Sequence, residues 1–446
     1  MSTDDKSRVP SAELIKKLAD TMAEYREDFI RDLCDQIEIA SVMGEPEPDA
    51  PYGTGPARAL NLFLEQGRRL GFHTINVDNH AGYVEIGSGE EMVAALCHVD
   101  VVPAGAGWER DPFTPVVEDG KIFGRGAGDD KGPAIAILYA LKALQNDPDF
   151  SPAKRIRLIV GANEENGSEC MVYYREHEEI PVSGFTADAS FPAVYAEKGI
   201  ARLQFTWTRK GTESLLEADG GEAVNMVPGF CMIKFRNSDG EIIEREVKGI
   251  TAHASRPMLG DNAISKAMAE LADYSSEDPV IDFYQRYIGS ETDGSKLGLA
   301  FTDESGDTTV NAGLLRIDGK TAKLNLDIRY PVTFDFDKAF KDLQDKFAPE
   351  GIKIEITDAQ APLNLGKDSH LISTLMQIYS DSTGLEAEAV AMGGGTYARS
   401  IPNICAFGMQ FPGDPDLAHQ INEYVEIDKA LAAAAIYRDS LRMLAE

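Results

Sequence analysis

The chain has 446 residues, of which 74 are acidic and 43 basic, so its formal net charge is -31. This acidity argues against a nucleic-acid or anionic-membrane partner, because both require basic patches. No stretch approaches 18 consecutive apolar residues, and the start, MSTDDKSRVP, does not resemble a signal peptide. Five scattered cysteines without a C-x-x-C pair predict reduced thiols in the cytoplasm.

Hydrophobic periodicity predicts one long amphipathic helix over 11–42 and a second helix over about 55–70. The apolar run VAALCHVDVV predicts a strand buried on both faces, and VVEDGKIFGRG predicts a hairpin. An apolar helix, KGPAIAILYALKALQND, and another strand, RIRLIVGANEE, come next. Strands that alternate with helices predict an α/β fold with a mostly parallel sheet covered by helices on both faces.

The pattern changes between residues 196 and 359. Strands such as ARLQFTWTR and TAKLNLDIRYP alternate more, which indicates an antiparallel sheet, and helical patterns lie at about 261–274 and 335–347. The α/β pattern then returns with a helix near 370–382, a strand at ICAFGMQ and a closing helix from about 427. We therefore predict one α/β domain, formed by 1–195 and 360–446, with an inserted α+β domain over 196–359.

Several common catalytic motifs are absent from the sequence: G-x-S-x-G, H-E-x-x-H and G-x-x-x-x-G-K-[ST]. The positive signal is a series of histidines and acids near the ends of buried strands, where parallel sheets build their sites. Its members are His98, Asp100, Asp129, Asp130, Glu164, Glu165, Asp188 and His419. Periodicity alone does not choose between Asp129 and Asp130.

Imidazole and carboxylate ligands suit zinc, and also manganese or cobalt. Three carboxylates and a hydroxide would balance the charge of two divalent ions, which makes a two-metal site physically reasonable. Taken singly, each motif has an ordinary structural explanation, such as a hydrogen-bonded His-Asp pair or an exposed acidic turn.

The ordered set of motifs resembles the di-metal exopeptidase superfamily of carboxypeptidase G, succinyl-diaminopimelate desuccinylase and the carnosinases. It is most similar to the bacterial peptidase V-like dipeptidases. The resemblance runs from residue 98 to 424 through HVDVVPAG, Trp108, DPF, DGKIFGRGAGDDKGP, EENG, DASFP, NMVPG, TAHAS, LDIRYP, GGGTYAR and HQINEY.

The resemblance implies a role for each member of the set. His98 would bind one metal and His419 the other, and Asp129 would bridge them. Glu165 and Asp188 would complete the two coordination spheres. Glu164 matches the general base, and Asp100 matches the residue that orients His98. The resemblance also implies a cis peptide bond between Asp129 and Asp130.

In the inserted domain, His253 resembles the histidine that steadies the tetrahedral intermediate. Asn225 and Arg329 resemble substrate-contacting residues. The loop of Gly393, Gly394, Gly395 and Thr396 resembles one whose backbone amides hold the C-terminal carboxylate of the substrate. Because His253 is distant in sequence from the metal ligands, domain closure is expected.

The resemblance implies a cytoplasmic dipeptidase that hydrolyses dipeptides and short peptides with a bridging metal-hydroxide. It would hold two divalent ions, with Zn²⁺ expected before Mn²⁺ or Co²⁺. The long inserted domain favours a monomer, although a homodimer stays open. Two alternatives also stay open: an N-acyl amino acid deacylase or β-alanyl dipeptidase on the same metal site, and a non-catalytic binding protein of the same fold.

Overall fold

The structure is a computed structural model that describes residues 9–211, 214–237, 239–275 and 278–446. Residues 1–8, on which most of the expectation about a signal peptide depends, lie outside the described residues. The chain forms two compact units. Unit 1 comprises Met1–Tyr195, Leu365–Val390 and Thr396–Glu446, and unit 2 comprises Ala196–Asn364 and Ala391–Gly395. None of the described helices is long and apolar enough to cross a membrane.

The α-helices are α1 (Ala12–Asp20), α2 (Arg26–Ile37), α3 (Thr54–Arg69), α4 (Lys131–Asn146), α5 (Glu169–His177), α6 (Ala263–Ser275), α7 (Pro279–Tyr287), α8 (Phe336–Phe347), α9 (His370–Thr383) and α10 (Ile427–Ala445). Short 3₁₀ turns lie at Ala23–Tyr25, Pro257–Leu259, Ser295–Leu297, Ala348–Glu350 and Tyr397–Ser400.

The strands are β1 (His73–Val77), β2 (Ala81–Ile86), β3 (Met92–His98), β4 (Val116–Glu118), β5 (Lys121–Phe123), β6 (Arg155–Gly161), β7 (Ser183–Thr186), β8 (Ala189–Ser190), β9 (Val194–Glu197), β10 (Gly199–Thr208), β11 (Leu215–Gly220), β12 (Phe230–Arg236), β13 (Ile242–Lys248), β14 (Thr302–Asp303), β15 (Gly306–Asp307), β16 (Thr309–Ile317), β17 (Thr321–Tyr330), β18 (Lys353–Gln360), β19 (Leu363–Asn364), β20 (Val390–Met392), β21 (Ile404–Ala406), β22 (Met409–Gln410) and β23 (Tyr424–Glu426).

The large sheet of unit 1 is mixed, with a parallel centre. Strands β6, β3, β7 and β21 are neighbours in that order and pair in parallel. Strands β1 and β2 add antiparallel pairs beside β6, and β9 pairs antiparallel with β21. The predicted α/β class is thus confirmed, with parallel pairing confined to the central strands. Their carboxyl ends lie along one edge, which is where a parallel sheet builds its site.

The central strand β3 of unit 1 is a nearly continuous apolar run because it is buried on both faces. All seven residues of β3 are buried, because the strand has neighbours on both sides and helices over its faces. Helix α10 packs against α4, and both contact β3. The alanine-rich segment of α10, Ala432–Ala435, is almost completely buried. Small side chains allow this close approach of helix to helix and helix to sheet.

The predicted single helix over 11–42 is wrong, because the structure has two helices there. Helix α1 ends at Asp20, and a 3₁₀ turn precedes α2. The Thr21 hydroxyl donates to the Leu18 carbonyl at 2.7 Å, so the side chain competes with the next backbone hydrogen bond of the helix. The periodic apolar positions continue through the break, which is why periodicity alone missed it.

Unit 2 contains a seven-stranded antiparallel sheet in the order β13-β12-β11-β16-β17-β10-β18. One face of the sheet carries apolar side chains such as Leu203, Phe205 and Leu324, which form a core with α6, α7 and α8. Helix α7 was not predicted from the sequence. It begins where Asp278 accepts the backbone N–H of Val280, with Pro279 as its first residue.

Candidate metal site

His98 is the last residue of β3, and its side chain is completely buried. Its Nδ1 lies 3.0 Å from the backbone carbonyl oxygen of Asp100 and 3.5 Å from the Asp100 carboxylate. Donation from Nδ1 to this carbonyl fixes the orientation of the ring and leaves Nε2 facing the neighbouring acids. This is the arrangement that a metal-binding histidine needs.

The Asp129 carboxylate lies between two imidazoles. Its Oδ1 is 3.1 Å from Nε2 of His98, and its Oδ2 is 3.3 Å from Nε2 of His419. Each oxygen of one carboxylate therefore faces a different histidine. Residues 98 and 419 are far apart in sequence, and the fold of unit 1 brings them to the same acid.

Two further acids approach the same histidines. Oε2 of Glu165 is 3.0 Å from Nε2 of His419, and Oδ2 of Asp188 is 4.0 Å from Nε2 of His98. Two groups of side chains each present ligand atoms within 4.8 Å of one another. The first group is His98, Asp129 and Glu165, and the second is His98, Glu164 and Asp188.

The charges in this cluster fit a divalent cation. Burial and, after it, the nearby Asp129 carboxylate raise the pKa of Asp188 to about 7. Burial and the Asp188 charge raise the pKa of Glu164 well above its ordinary value. Hydrogen bonds to Asp129 and Glu165 raise the pKa of His419 to about 10. The negative charges of this cluster therefore favour the protonated forms of Asp188, Glu164 and His419. A bound cation would replace these protons.

Asp100 also supports the loop that carries the two glutamates. Its carboxylate accepts the backbone N–H of Glu164 at 3.0 Å and that of Glu165 at 3.1 Å. Asp100 itself is buried beside β3. One residue therefore orients His98 through its carbonyl and fixes the glutamate pair through its carboxylate.

The adjacent aspartates face different surroundings. The Asp129–Asp130 peptide bond is cis, as the resemblance implied. Asp130 is completely buried, and its Oδ2 accepts the backbone N–H of His98 at 3.0 Å. Asp129 faces both histidines, whereas Asp130 supports the end of β3.

Two buried residues beside the cluster were not identified from the sequence. Glu423 accepts three backbone N–H groups of the turn that precedes α4, and it pairs with Arg125. Both lie within quoted motifs, GRGAGDD and HQINEY. The available signal was a charged residue of each sign inside two of the motifs that carry the resemblance. At Gly126, φ is +87°, a conformation that favours glycine.

A pocket of about 280 Å³ in unit 1 opens beside Asp129 and Asp188. Its wall includes Ser190, Met409 and Tyr424. The side chains are mixed in polarity, and the volume suits a small ligand rather than a folded protein.

In unit 2, Asn225 and His253 lie on adjacent segments. The carbonyl of Asn225 accepts the backbone N–H of Ala254 at 2.9 Å. The His253 side chain is exposed, and its Nδ1 is 2.7 Å from the Ser255 hydroxyl.

Arg329 lies near the end of β17, where it is buried beside Asp327 on the same face of the strand. Its Nε donates to Asp327 at 2.5 Å and its Nη2 at 3.0 Å. Its Nη1 is 3.4 Å from the carbonyl of Gly393, in the segment 391–395 that belongs to unit 2. Asp327 was missed in the sequence, although its i, i+2 spacing from Arg329 was visible.

The glycine loop is divided between the two units. Gly393, Gly394 and Gly395 belong to unit 2, whereas Thr396 begins the last segment of unit 1. The Thr396 hydroxyl accepts the backbone N–H of Ala398 at 3.1 Å and caps the Tyr397–Ser400 turn. Its side chain thus has a local structural role within unit 1.

The chain matches the family "Peptidase family M20/M25/M40" over residues 94–443. The Staphylococcus epidermidis protein named "Putative dipeptidase" is 36% identical over 459 residues, which cover 94% of this chain and 98% of that protein. The Bacillus subtilis protein named "Putative dipeptidase YtjP" is also 36% identical, over 461 residues and the same shares of the two chains. The chain belongs to peptidase family M20/M25/M40 and is a metallopeptidase.

Solved structures show the same fold at low sequence identity. Human carnosine dipeptidase 1 superposes with a TM-score of 0.58 at 16% identity and covers 98% of this chain and 99% of its own. The dipeptidase Dug1p of Saccharomyces cerevisiae superposes with a TM-score of 0.57 at 15% identity, over 96% of this chain and 98% of its own. The predicted fold, including its inserted domain with an antiparallel sheet, agrees with these neighbours.

Proposed function

We propose that this protein is a dipeptidase that holds two divalent metal ions, Zn²⁺ before Mn²⁺ or Co²⁺, at the cluster around Asp129. The observation that carries the proposal is the Asp129 carboxylate, whose two oxygens face Nε2 of His98 and Nε2 of His419. Glu165 and Asp188 would complete the two ligand sets. The names of the 36%-identical relatives support the choice of dipeptides as substrates.

Divalent ions at this cluster would polarise the scissile carbonyl and lower the pKa of a water molecule. Glu164 then acts as the general base: it accepts a proton as the water attacks the carbonyl carbon. It returns that proton to the amine nitrogen as the C–N bond breaks. Asp100 holds Glu164 by its backbone N–H, so the carboxylate is free for proton transfer.

Unit 2 would bind the substrate. His253 would donate a hydrogen bond to the oxyanion that develops on the carbonyl, with Asn225 as a further contact. Arg329 and the backbone N–H groups of Gly393–Gly395 would bind the C-terminal carboxylate. Asp327 accepts from Nε and Nη2 of Arg329, and a substrate carboxylate would take the remaining N–H groups of Nη1 and Nη2 in place of the Gly393 carbonyl. A terminal carboxylate as anchor would restrict the enzyme to short peptides cleaved near their C-terminus.

The division of the chain into a catalytic part, 1–195 with 360–446, and a lid, 196–359, belongs to this proposal. The pocket beside Asp129 and Asp188 would take the N-terminal residue of a small peptide. We further propose a cytoplasmic monomer. The free state of all five cysteines supports the cytoplasm.

The test is hydrolysis by purified protein that has been stripped with a chelator and reloaded with Zn²⁺, Mn²⁺ or Co²⁺. Ala-Ala-type dipeptides, N-acetyl amino acids and β-alanyl-histidine are offered separately. Hydrolysis of the α-dipeptides above the other two classes supports the proposal. Preference for an N-acyl or β-alanyl substrate would identify the alternative hydrolase, and metal binding without any hydrolysis would leave a binding protein.

A further inference from the structure

We propose that the buried ion pair of Arg125 and Glu423 is a positioning device that fixes His419 and Asp129 relative to one another. Through them it sets the affinity of the cluster for divalent metal. This inference rests on the proposed function, because it assumes that His419 and Asp129 share a metal ion. Neither Arg125 nor Glu423 is proposed to touch the metal or the substrate.

Glu423 is completely buried and holds the turn that carries Asp129. One of its oxygens accepts the backbone N–H of Gly128 at 2.8 Å and that of Asp129 at 3.2 Å. The other accepts the backbone N–H of Gly126 at 3.0 Å. Three backbone donors of one tight turn thus converge on one carboxylate. The position of the Asp129 backbone depends directly on this acid.

Arg125 connects the same carboxylate to the histidine. Its Nη1 donates to Glu423 at 2.8 Å, and its Nη2 lies 3.4 Å from the backbone carbonyl of His419 and from that of Ala104. The guanidinium is 2% exposed and lies 5.2 Å from the ring centre of Trp108. The cation therefore has hydrogen-bond partners at Nη1 and Nη2 and an aromatic ring near it.

The backbone of this segment needs such support. His419 adopts φ of +63°, in the left-handed region that non-glycine residues seldom occupy. Its side chain is 54% exposed, so packing does not hold it in place. The backbone N–H of Gln420 donates to the Leu417 carbonyl at 3.0 Å across His419, and the Gly124–Glu423 hydrogen bond and the pairing of Tyr424 with Phe123 fix the segment after it. Arg125 is the described side chain that reaches the His419 carbonyl.

Replacement of Glu423 by Gln would turn one of its two acceptor oxygens into an NH2 donor, so that part of the turn or the buried guanidinium loses its acceptor. The turn and the His419 segment would then relax independently of each other. Groups that orient metal ligands in this way typically change metal affinity by about 10–100-fold when they are replaced. A loss of protein stability alone would not distinguish this positioning role from a purely structural one, so the test measures metal affinity.

The experiment compares Glu423→Gln with Asp32→Asn in the full-length protein. Asp32 is a matched control: it is a completely buried carboxylate in unit 1 that pairs with Arg69 and accepts the Tyr139 hydroxyl at 2.6 Å. Zn²⁺ affinity is measured by competition with a chromophoric chelator, and bound Co²⁺ is followed by its visible absorption. Thermal unfolding of each metal-free variant shows whether it folds.

We expect Glu423→Gln to lower Zn²⁺ affinity by about 10–100-fold and to alter the Co²⁺ spectrum. Asp32→Asn should keep the affinity and spectrum of the wild type, even if it unfolds at a lower temperature. Unchanged affinity in Glu423→Gln, or an equal loss in both variants, would overturn the inference. If Glu423→Gln does not fold, Arg125→Lys decides by the same criteria, because it keeps the charge but loses the bond to His419.

The two proposals fail in different ways. If the wild type binds metal but hydrolyses no dipeptide, the proposed function is wrong, while the effect of Glu423→Gln on affinity still tests the ion pair. If the wild type hydrolyses dipeptides and Glu423→Gln binds metal as tightly as it does, only the ion-pair inference is wrong.

Discussion

The two units differ in how their buried charges are compensated. In unit 1, several acids lie around two histidines, and burial together with their mutual repulsion raises the pKa of Asp188 to about 7. In unit 2, the buried Arg329 is matched by a single acid, Asp327, on the same strand. Unit 1 thus has a surplus of negative charge, whereas in unit 2 the buried acid and the buried guanidinium compensate each other.

This difference indicates what each unit binds. A surplus of buried carboxylates is costly unless cations compensate it, so unit 1 fits divalent metals. A balanced Arg-Asp pair is stable alone and still offers N–H donors to an anion, so the Arg329 region fits a carboxylate. The following predictions test this division, first at the metal cluster and then at the arginine.

The largest effect is expected from Asp129→Asn. This change removes the charge that faces both histidines, so metal affinity should fall by more than the ~10–100-fold typical of residues outside the ligand set. Turnover should be lost with the metal. Asp130→Asn is the matched control, because its amide oxygen still accepts the His98 N–H; it should keep most of the bound metal. Titration of metal content decides, and equal losses in both variants would contradict the assignment of Asp129.

Glu164→Gln should lower turnover by about 10²–10⁴-fold while most of the metal stays bound. The amide keeps the size of the side chain but does not accept the proton of water. Glu169→Gln, at the exposed start of α5, serves as the control and should behave as the wild type. Activity and metal content are measured on the same samples. Activity that survives in Glu164→Gln would exclude Glu164 as the general base. Loss of bound metal in this variant would indicate that Glu164 is a metal ligand.

Arg329→Met should lower kcat/KM for dipeptides with a free C-terminus by about 10–100-fold, the usual value of one charge-assisted hydrogen bond. Dipeptide amides lack the carboxylate, so their slower hydrolysis should change little. Arg316→Met is a control on the same sheet, because Arg316 donates to the Gly220 carbonyl instead. An equal loss for acids and amides would show that Arg329 does not bind the carboxylate.

The last prediction concerns the pH dependence of metal binding, where the change sought is a decrease in slope near pH 7. His419, with its pKa raised to about 10, and Asp188, with its pKa raised to about 7, release protons when a cation binds. Affinity should therefore rise with pH, by about tenfold per pH unit for each proton displaced. Above pH 7 Asp188 is already ionised and releases no proton on binding. The slope of the logarithm of metal affinity against pH should therefore decrease by about one. Chelator competition from pH 6 to 8 measures this slope.

Asp188→Asn provides the control for that slope. The variant should bind metal more weakly but show no decrease in slope near pH 7, because the titrating carboxyl is gone. Affinity that falls with rising pH in the wild type would contradict the view that protons and metal compete for the same acids.

Much of the fold followed from local pattern. The apolar run that becomes β3, the hairpin of β4 and β5 and the helix α4 lie where periodicity and turn residues predicted them. Prediction failed where a side chain acts on its own backbone, as Thr21 does between α1 and α2, and where a helix is short, as α7 is. In both regions the apolar spacing is compatible with more than one arrangement.

The sequence alone determined the alternation of strands and helices, the change of pattern between residues 196 and 359, and the residue types of a metal cluster near strand ends. It did not decide which acid of the adjacent pair faces the two histidines, because Asp129 and Asp130 are chemically alike. Only the tertiary structure decided this, by burying Asp130 under His98 and turning Asp129 towards His98 and His419. The same holds for Glu423 and Asp327, whose roles depend on partners that periodicity does not reveal.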